Sequence, residues 1–258
     1  MGLDAVLDHL GTSPAEVGAF FDLDGTLAQI EDDPTQVRPV EGVAERVHEL
    51  AVHLGVVAIV SGRPVAFLDR FFDDADVQLS GLYGLEHRVG GQVLVDSAAL
   101  EWLPAMSAAA DSAREHFGLE VVEDKRYSLT VHYRGLDDAF AQVVHTWAES
   151  IAGETGLHAR VAKKSVELHP PTGGTKGDVV ERLVSGLRSA VYFGDDVGDI
   201  PAFERLGALA DSGQLRSSAR VLVGGPEAPS QLVPLATDTV TGPGAVVEAL
   251  DRMLERVR

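Results

Sequence analysis

Cysteine is absent from this 258-residue chain. That excludes disulfides, thiolate zinc sites and a thiol nucleophile, and makes a reducing compartment acceptable. Basic residues are scarce: 21 Lys and Arg stand against 40 Asp and Glu, a net charge of −19. Nucleic-acid binding rests on neutralising phosphates with Lys and Arg, so this balance argues against a nucleic-acid partner. Solubility is the plain reading of the excess acid. No apolar run reaches the length of a membrane span. The segment Met1 to Leu10 carries acids in place of a basic region and does not read as a signal peptide. The expectation is a cytoplasmic protein with no membrane partner. What remains is ample for an unaided core, in one large or two modest domains.

The run Phe21-Asp22-Leu23-Asp24-Gly25-Thr26-Leu27 places two carboxylates one residue apart where the apolar strand Val17 to Phe21 meets a glycine turn. In an open parallel α/β sheet, ligands bind outside the carboxyl ends of the strands, which is where these acids fall. Mg²⁺ is the natural countercharge, because it takes oxygen ligands and often binds through one or two carboxylates plus a substrate phosphate. A second strand-like run, Ala190 to Phe193, also ends in acids: Gly194-Asp195-Asp196-Val197-Gly198-Asp199. Ser61-Gly62-Arg63 follows the apolar stretch Val56 to Val60, offering a hydroxyl and a glycine N–H to a phosphate oxygen. Lys176 opens the helix-like segment Lys176 to Leu187, an end where the helix dipole disfavours a cation, so its position argues for function. Alone, Asp-x-Asp-Gly is a common turn and Gly-Asp-Asp a solvated loop. Four such elements, each at the end of a strand-like run or the start of a helix, point to phosphoryl transfer.

In chain order the four elements resemble motifs one to four of the haloacid dehalogenase-like (HAD) phosphatase superfamily. The resemblance implies that Asp22 is a nucleophile and Asp24 a general acid/base. It makes Ser61, Gly62 and Lys176 phosphate ligands, and sets Asp22, Asp24, Asp195, Asp196 and Asp199 around Mg²⁺. The chemistry requires that convergence: a phosphate dianion repels an anionic nucleophile unless metal and lysine draw charge from its oxygens.

The expected fold is α/β, a HAD-like Rossmannoid parallel-sheet core with an inserted α+β cap. Strand-like and helix-like segments alternate up to Gly81. The texture then changes: Leu85 to Val95 is broken by the hairpin signal Gly90-Gly91. Helical candidates Ala98 to Phe117 and Asp137 to Ile151 lie among strand-like Leu119 to Val122, Tyr127 to Tyr133, His158 to Val161 and Ser165 to Leu168. Pro170-Pro171-Thr172-Gly173-Gly174 reads as a hinge. The expected domains are a discontinuous core, residues 1–84 and 174–258, and a cap, residues 85–173. An insertion there matches the superfamily's C2 arrangement, which would close over the phosphate end and exclude water.

Within the cap, Lys125 to Arg134 includes Ser128 and His132-Tyr133-Arg134, and Val166-Glu167-Leu168-His169-Pro170 follows later. Together with Gly81-Leu82-Tyr83-Gly84-Leu85-Glu86 these resemble the trehalose-6-phosphate phosphatases. The resemblance implies sugar contacts from Glu86, Lys125, His132, Arg134 and Glu167, and trehalose 6-phosphate as substrate. Two positions depart from the family pattern: Tyr83 stands at the His of Gly-x-His-Gly, and Ile200 at the Glu that ends the acid motif. Glucosylglycerol phosphate, mannosyl-3-phosphoglycerate, sucrose phosphate or a cyclitol phosphate stay open as substrates. A sugar-phosphate binder without turnover is a further alternative, against which both Asp22 and Asp24 are retained.

Overall fold

The apolar runs become the inner strands of one large sheet. The computed structural model describes residues 2–162, 164–172, 174–225 and 229–258. Helix α1 (Leu3–Leu10) leads into strand β1 (Val17–Phe21), followed by α2 (Val43–His53), β2 (Val56–Val60), α3 (Val65–Leu68), β3 (Val77–Gly81), β4 (Glu86–Val89) and β5 (Gln92–Val95). The middle of the chain holds α4 (Ser97–Leu100), α5 (Leu103–Phe117), β6 (Val122–Asp124), β7 (Leu129–His132), α6 (Asp138–Thr155), β8 (His158–Ala162) and β9 (Ser165–His169). The chain closes with α7 (Lys176–Leu183), β10 (Ser189–Gly194), α8 (Ile200–Asp211), β11 (Ser217–Gly224), β12 (Asp238–Thr241) and α9 (Gly242–Leu254). These elements fall into two units, residues 1–94 with 174–258, and residues 95–173.

The first unit carries an eight-stranded sheet in the order β12-β11-β10-β1-β2-β3-β4-β5. Every pairing from β12 to β3 is parallel. Strand β1 is buried along its length and feeds both faces. Val17, Ala19 and Phe21 pack with α1, α2 and α9, whereas Phe20 packs with α7 and α8. Helices on both faces of a parallel sheet are what near-continuous apolar strands require. At the amino ends of β10 and β11 a buried chain of polar groups ties α1 to the sheet. His9 Nδ1 lies 2.5 Å from Ser189 Oγ, which lies 2.6 Å from Ser217 Oγ.

The second unit has a four-stranded antiparallel sheet, β6-β7-β9-β8, with α5 and α6 packed on one face. Leu129, Val131, Val166 and Leu168 point into that core, so the residues between them form a polar row on the other face. Among the described residues no helix is long and apolar enough to cross a membrane.

The structure differs from the sequence reading at the insertion's leading edge. The Gly90-Gly91 hairpin, expected in the cap, extends the large sheet: β4 pairs antiparallel with β3, Leu79 opposite Arg88 and Gly81 opposite Glu86. Both glycines take positive φ, +55° and +77°, as a two-residue primed turn demands. Buried Arg88 fastens this hairpin to the loop after α3. It donates to Asp69 Oδ1 at 2.5 Å and to the carbonyls of Phe72, Asp73, Asp74 and Val77. Elsewhere, Pro104 in the first turn of α5 splits the expected Ala98 to Phe117 helix into α4 and α5. The segment Pro64 to Phe72 holds only α3 followed by turns. Met1 and the hinge residue Gly173 lie outside the described residues.

Arg88→Met should leave four backbone carbonyls and the exposed Asp69 carboxylate without their donor and lower unfolding free energy by about 3 kcal/mol, read from the urea midpoint. An unchanged midpoint would detach the hairpin from the core's stability.

Candidate active site

Parallel register brings the sequence motifs to one edge. Phe21 of β1 lies beside Phe193 of β10 and Ile59 of β2, so the residues that follow each strand emerge together. The Asp22 N–H donates to the Phe193 carbonyl at 3.0 Å, fixing the nearest carboxylate against the acid loop. Gly25, at φ +82°, allows the turn after Asp24 to pass that loop. A Cβ there would lie 2.1 Å from Asp195 Oδ2.

Lys176 reaches the same point from the start of α7. Thr175 and Asp178 form a reciprocal capping box that sets where the helix begins. The buried ammonium then lies 2.9 Å from Asp22 Oδ1 and 2.7 Å from Asp199 Oδ1. Asp199 is the hub of the loop. Its Oδ1 also accepts from the Tyr192 hydroxyl at 2.8 Å, and its Oδ2 accepts from the N–H groups of Asp195 and Asp196 at 2.8 and 3.1 Å. The Thr26 hydroxyl donates to Asp195 Oδ1 at 3.3 Å, and Asp196 Oδ1 accepts from the Gly198 N–H at 2.8 Å.

The two acids of the first motif have different partners. Both Asp24 oxygens accept from Arg63, Nε to Oδ2 at 3.0 Å and Nη2 to Oδ1 at 2.7 Å, a two-pronged guanidinium pair. Arg63 is itself held by the Pro34 carbonyl and lies over the Phe67 ring. Ser61 is buried at the end of β2, its Oγ accepting from the Arg63 N–H at 3.2 Å.

Asp22, Asp195 and Asp199 are buried and each places one oxygen within 4.8 Å of the others. Burial pushes the Asp22 carboxyl well above its usual range. Lys176 opposes that shift, while Asp199, Asp196 and Asp195 add to it. Burial also works against the Lys176 charge, but Asp199 and Asp22 outweigh it and hold the ammonium above its ordinary value. Three buried carboxylates around one ammonium carry uncompensated negative charge, which a low-dielectric site tolerates poorly. An all-oxygen donor set of this kind fits a hard divalent cation.

The second unit gathers its own polar residues on the face of the sheet opposite its helices. Glu123, Thr130, Glu167 and Arg160 stand side by side across β6, β7, β9 and β8. Buried Glu167 accepts from the Ser128 hydroxyl at 2.8 Å and has Lys125 Nζ at 3.5 Å. Lys125 also lies 3.8 Å from Glu123, whose carboxylate meets His132 Nε2 at 3.0 Å. The Thr130 hydroxyl is buried with no hydrogen-bond partner among the described residues. Of the expected sugar-contact residues, Lys125, His132 and Glu167 thus form one network. Arg134 lies half-buried two residues past β7. Glu86 belongs to the first unit, where its Oε2 accepts from the Val65 N–H at 2.7 Å. Glu123, Thr130 and Arg160 went unnoticed in the sequence. The alternation around Leu129 and Val131 flags Thr130, but the pairing that joins Glu123 and Arg160 to it has no local signal.

A model of the trehalose-phosphatase family matches residues 20–227, spanning both units. The chain belongs to that family. It is similar to trehalose-phosphate phosphatase from Mycobacterium leprae (strain TN), with 30% identity over 200 residues, 72% of this chain and 46% of the relative. The chain spans about half the length of the curated relatives it matches. Among solved structures, the C-terminal domain of Candida albicans trehalose-6-phosphate phosphatase shares its fold, at a TM-score of 0.80 and 20% identity over 99% of this chain and 97% of that one. A haloacid dehalogenase-like hydrolase from Bacteroides thetaiotaomicron matches at a TM-score of 0.63 and 13% identity over 92% and 98%. The expected α/β fold and family are both borne out.

A cation that binds only the folded acid cluster must stabilise it, by about 2.7 kcal/mol at a hundredfold excess over Kd. MgCl₂ should therefore raise the melting temperature, and Asp195→Asn should remove most of that rise. An equal rise in the variant would place the cation elsewhere.

Proposed function

We propose that the chain is a Mg²⁺-dependent phosphatase that hydrolyses trehalose 6-phosphate to trehalose and phosphate through an aspartyl-phosphate on Asp22. The observation that carries this reading is the Asp22 carboxylate, buried at the end of β1 with Lys176 Nζ at 2.9 Å. A solvated turn acid has no reason to be placed so.

Asp22, Asp195 and Asp199 would hold the metal. Bound Mg²⁺ supplies charge neutralisation at the phosphoryl oxygens. Lys176 adds a second cation, and Ser61 with the Gly62 N–H completes the phosphate cradle. An Asp22 oxygen attacks phosphorus; the bond from phosphorus to the sugar oxygen breaks, and that oxygen leaves with a proton from Asp24. Water then attacks the aspartyl-phosphate, gives its proton to Asp24, and releases phosphate and the Asp22 carboxylate. Dividing the hydrolysis in this way replaces one difficult step with two easier ones. Both Asp24 oxygens accept from Arg63 in the resting arrangement, so neither is presented as an O–H donor. The leaving-group step requires this fork to part.

Lys125, His132 and Glu167 are the proposed recognition groups for sugar hydroxyls, together with Glu123 and Thr130, which stand in the same row. Sugar hydroxyls donate and accept, and the row offers both kinds of partner. Arg134 stays in the proposal as a more peripheral contact. Glu86 is better explained as a carboxylate that fixes the turn after Arg63, since it takes the Val65 N–H. Ile200, at the position of the family's Glu, packs against the core beneath α8. Tyr83 and Ile200 are the reason to test other sugar phosphates beside trehalose 6-phosphate.

Phosphate release in MgCl₂ should favour trehalose 6-phosphate over sucrose 6-phosphate, glucosylglycerol phosphate, mannosyl-3-phosphoglycerate and glucose 6-phosphate. Asp22→Asn should lower kcat by at least about a thousandfold while the fold persists. Turnover near the wild-type rate would remove the covalent mechanism. Glu167→Ala should lower kcat/KM for the sugar phosphate by about 30-fold, the worth of a charged hydrogen bond or two, and barely change p-nitrophenyl phosphate hydrolysis. Equal losses on both would assign Glu167 to stability.

A further inference from the structure

Two successive non-glycine residues, Leu82 and Tyr83, occupy the left-handed region, at φ +50° and +54°. Such a pair is rare because each Cβ crowds its own backbone. Strained residues of this kind persist only where the surroundings over-determine them.

The surroundings here are the proposed phosphate loop. The Leu82 N–H donates to the Arg63 carbonyl at 3.1 Å, and the Tyr83 N–H to the Ser61 carbonyl at 3.2 Å. Gly81 permits this approach, since a Cβ there would lie 2.7 Å from the Arg63 carbonyl oxygen and the Val65 nitrogen. The strain delivers the Tyr83 ring onto Gly62: a Cβ on Gly62 would lie 2.9 Å from the ring's Cε2, Cζ and hydroxyl oxygen. On another side is the acid loop, where a Cβ on Gly198 would stand 3.7 Å from the ring's Cε1 and 3.8 Å from its hydroxyl. Gly174, two residues before Lys176, borders the Tyr83 carbonyl in the same way at 3.5 Å.

We propose that Tyr83 is a positioning residue: its ring, wedged between Gly62 and Gly198, sets the spacing between the Ser61–Arg63 loop and the Asp195–Asp199 loop. Gly62 is therefore a glycine for the ring as well as for any phosphate oxygen. The role differs from that of a residue touching the reacting atoms, because it acts through where the two loops stand. It rests on the phosphatase reading above.

A double-mutant cycle on the whole chain tests it, with p-nitrophenyl phosphate as substrate and inorganic phosphate as a competing ligand. Tyr83→Ala should raise both KM and the inhibition constant of phosphate by about tenfold, while Tyr83→Phe, which keeps the wedge, stays within about threefold of wild type. Gly62→Ala should cost about tenfold or more in wild type, and less than about twofold once Tyr83→Ala has removed the ring its Cβ would meet. Wild-type phosphate affinity in Tyr83→Ala, or an equal Gly62→Ala cost in both backgrounds, overturns the inference. If Tyr83→Ala does not fold, Tyr83→Leu supplies the second background and is read by the same criteria. A wild-type chain that neither turns over any phosphate ester nor binds phosphate overturns the phosphatase reading itself, an outcome distinct from a cycle that shows no coupling in an active enzyme.

Discussion

A buried ammonium between two carboxylates holds the first unit's acid-bearing edge in shape. Lys176 meets Asp22 and Asp199 at 2.9 and 2.7 Å, and each of the three comes from a different element. Removing either carboxylate would leave the lysine buried beside a single counter-charge, and removing the lysine would leave the acids facing one another. Both states cost free energy at this depth, so the β1 and β10 strand ends and the start of α7 converge together. Asp199 extends the constraint inward. Its two oxygens also accept from Lys176, Tyr192 and two backbone N–H groups, so the residue that faces Asp22 and Asp195 shapes the acid loop as well.

Acids of one residue type are thus set apart by their neighbours. Asp22 is buried against a lysine, Asp24 faces an arginine fork, Asp195 closes on the Gly25 turn, and Asp196 caps its own loop. Such separation of environments is how one functional group is assigned distinct tasks.

The sequence made the motif-bearing strand ends legible because the signal is local. An apolar run that stops at Gly or Asp marks both the strand and the edge where its ligands gather. Lys176 stood out for a comparable reason, a cation at the wrong end of a helix. The features that escaped depend on pairing at a distance. Gly90-Gly91 announces a hairpin but not the sheet it joins, and that choice is made by Arg88 reaching back to Asp69 and four carbonyls. Glu123 and Arg160 join the Glu167 row only through strand register. Arg63 was visible as part of Ser-Gly-Arg, yet its partner Asp24 lies in another motif. Pro104 is a local signal for the break between α4 and α5, set in a segment whose composition is otherwise helical.

The placement of Lys176 after the insertion has a consequence for how the chain matures. Asp22 leaves the ribosome about 150 residues before its ammonium partner, an interval of roughly 8–30 s at ordinary elongation rates. The second unit's strands pair only among residues 122–169, so it has all its sheet partners before Lys176 is made. The first unit's acid-bearing edge is completed late, by residues 174–258, after the inserted unit has all its sheet partners.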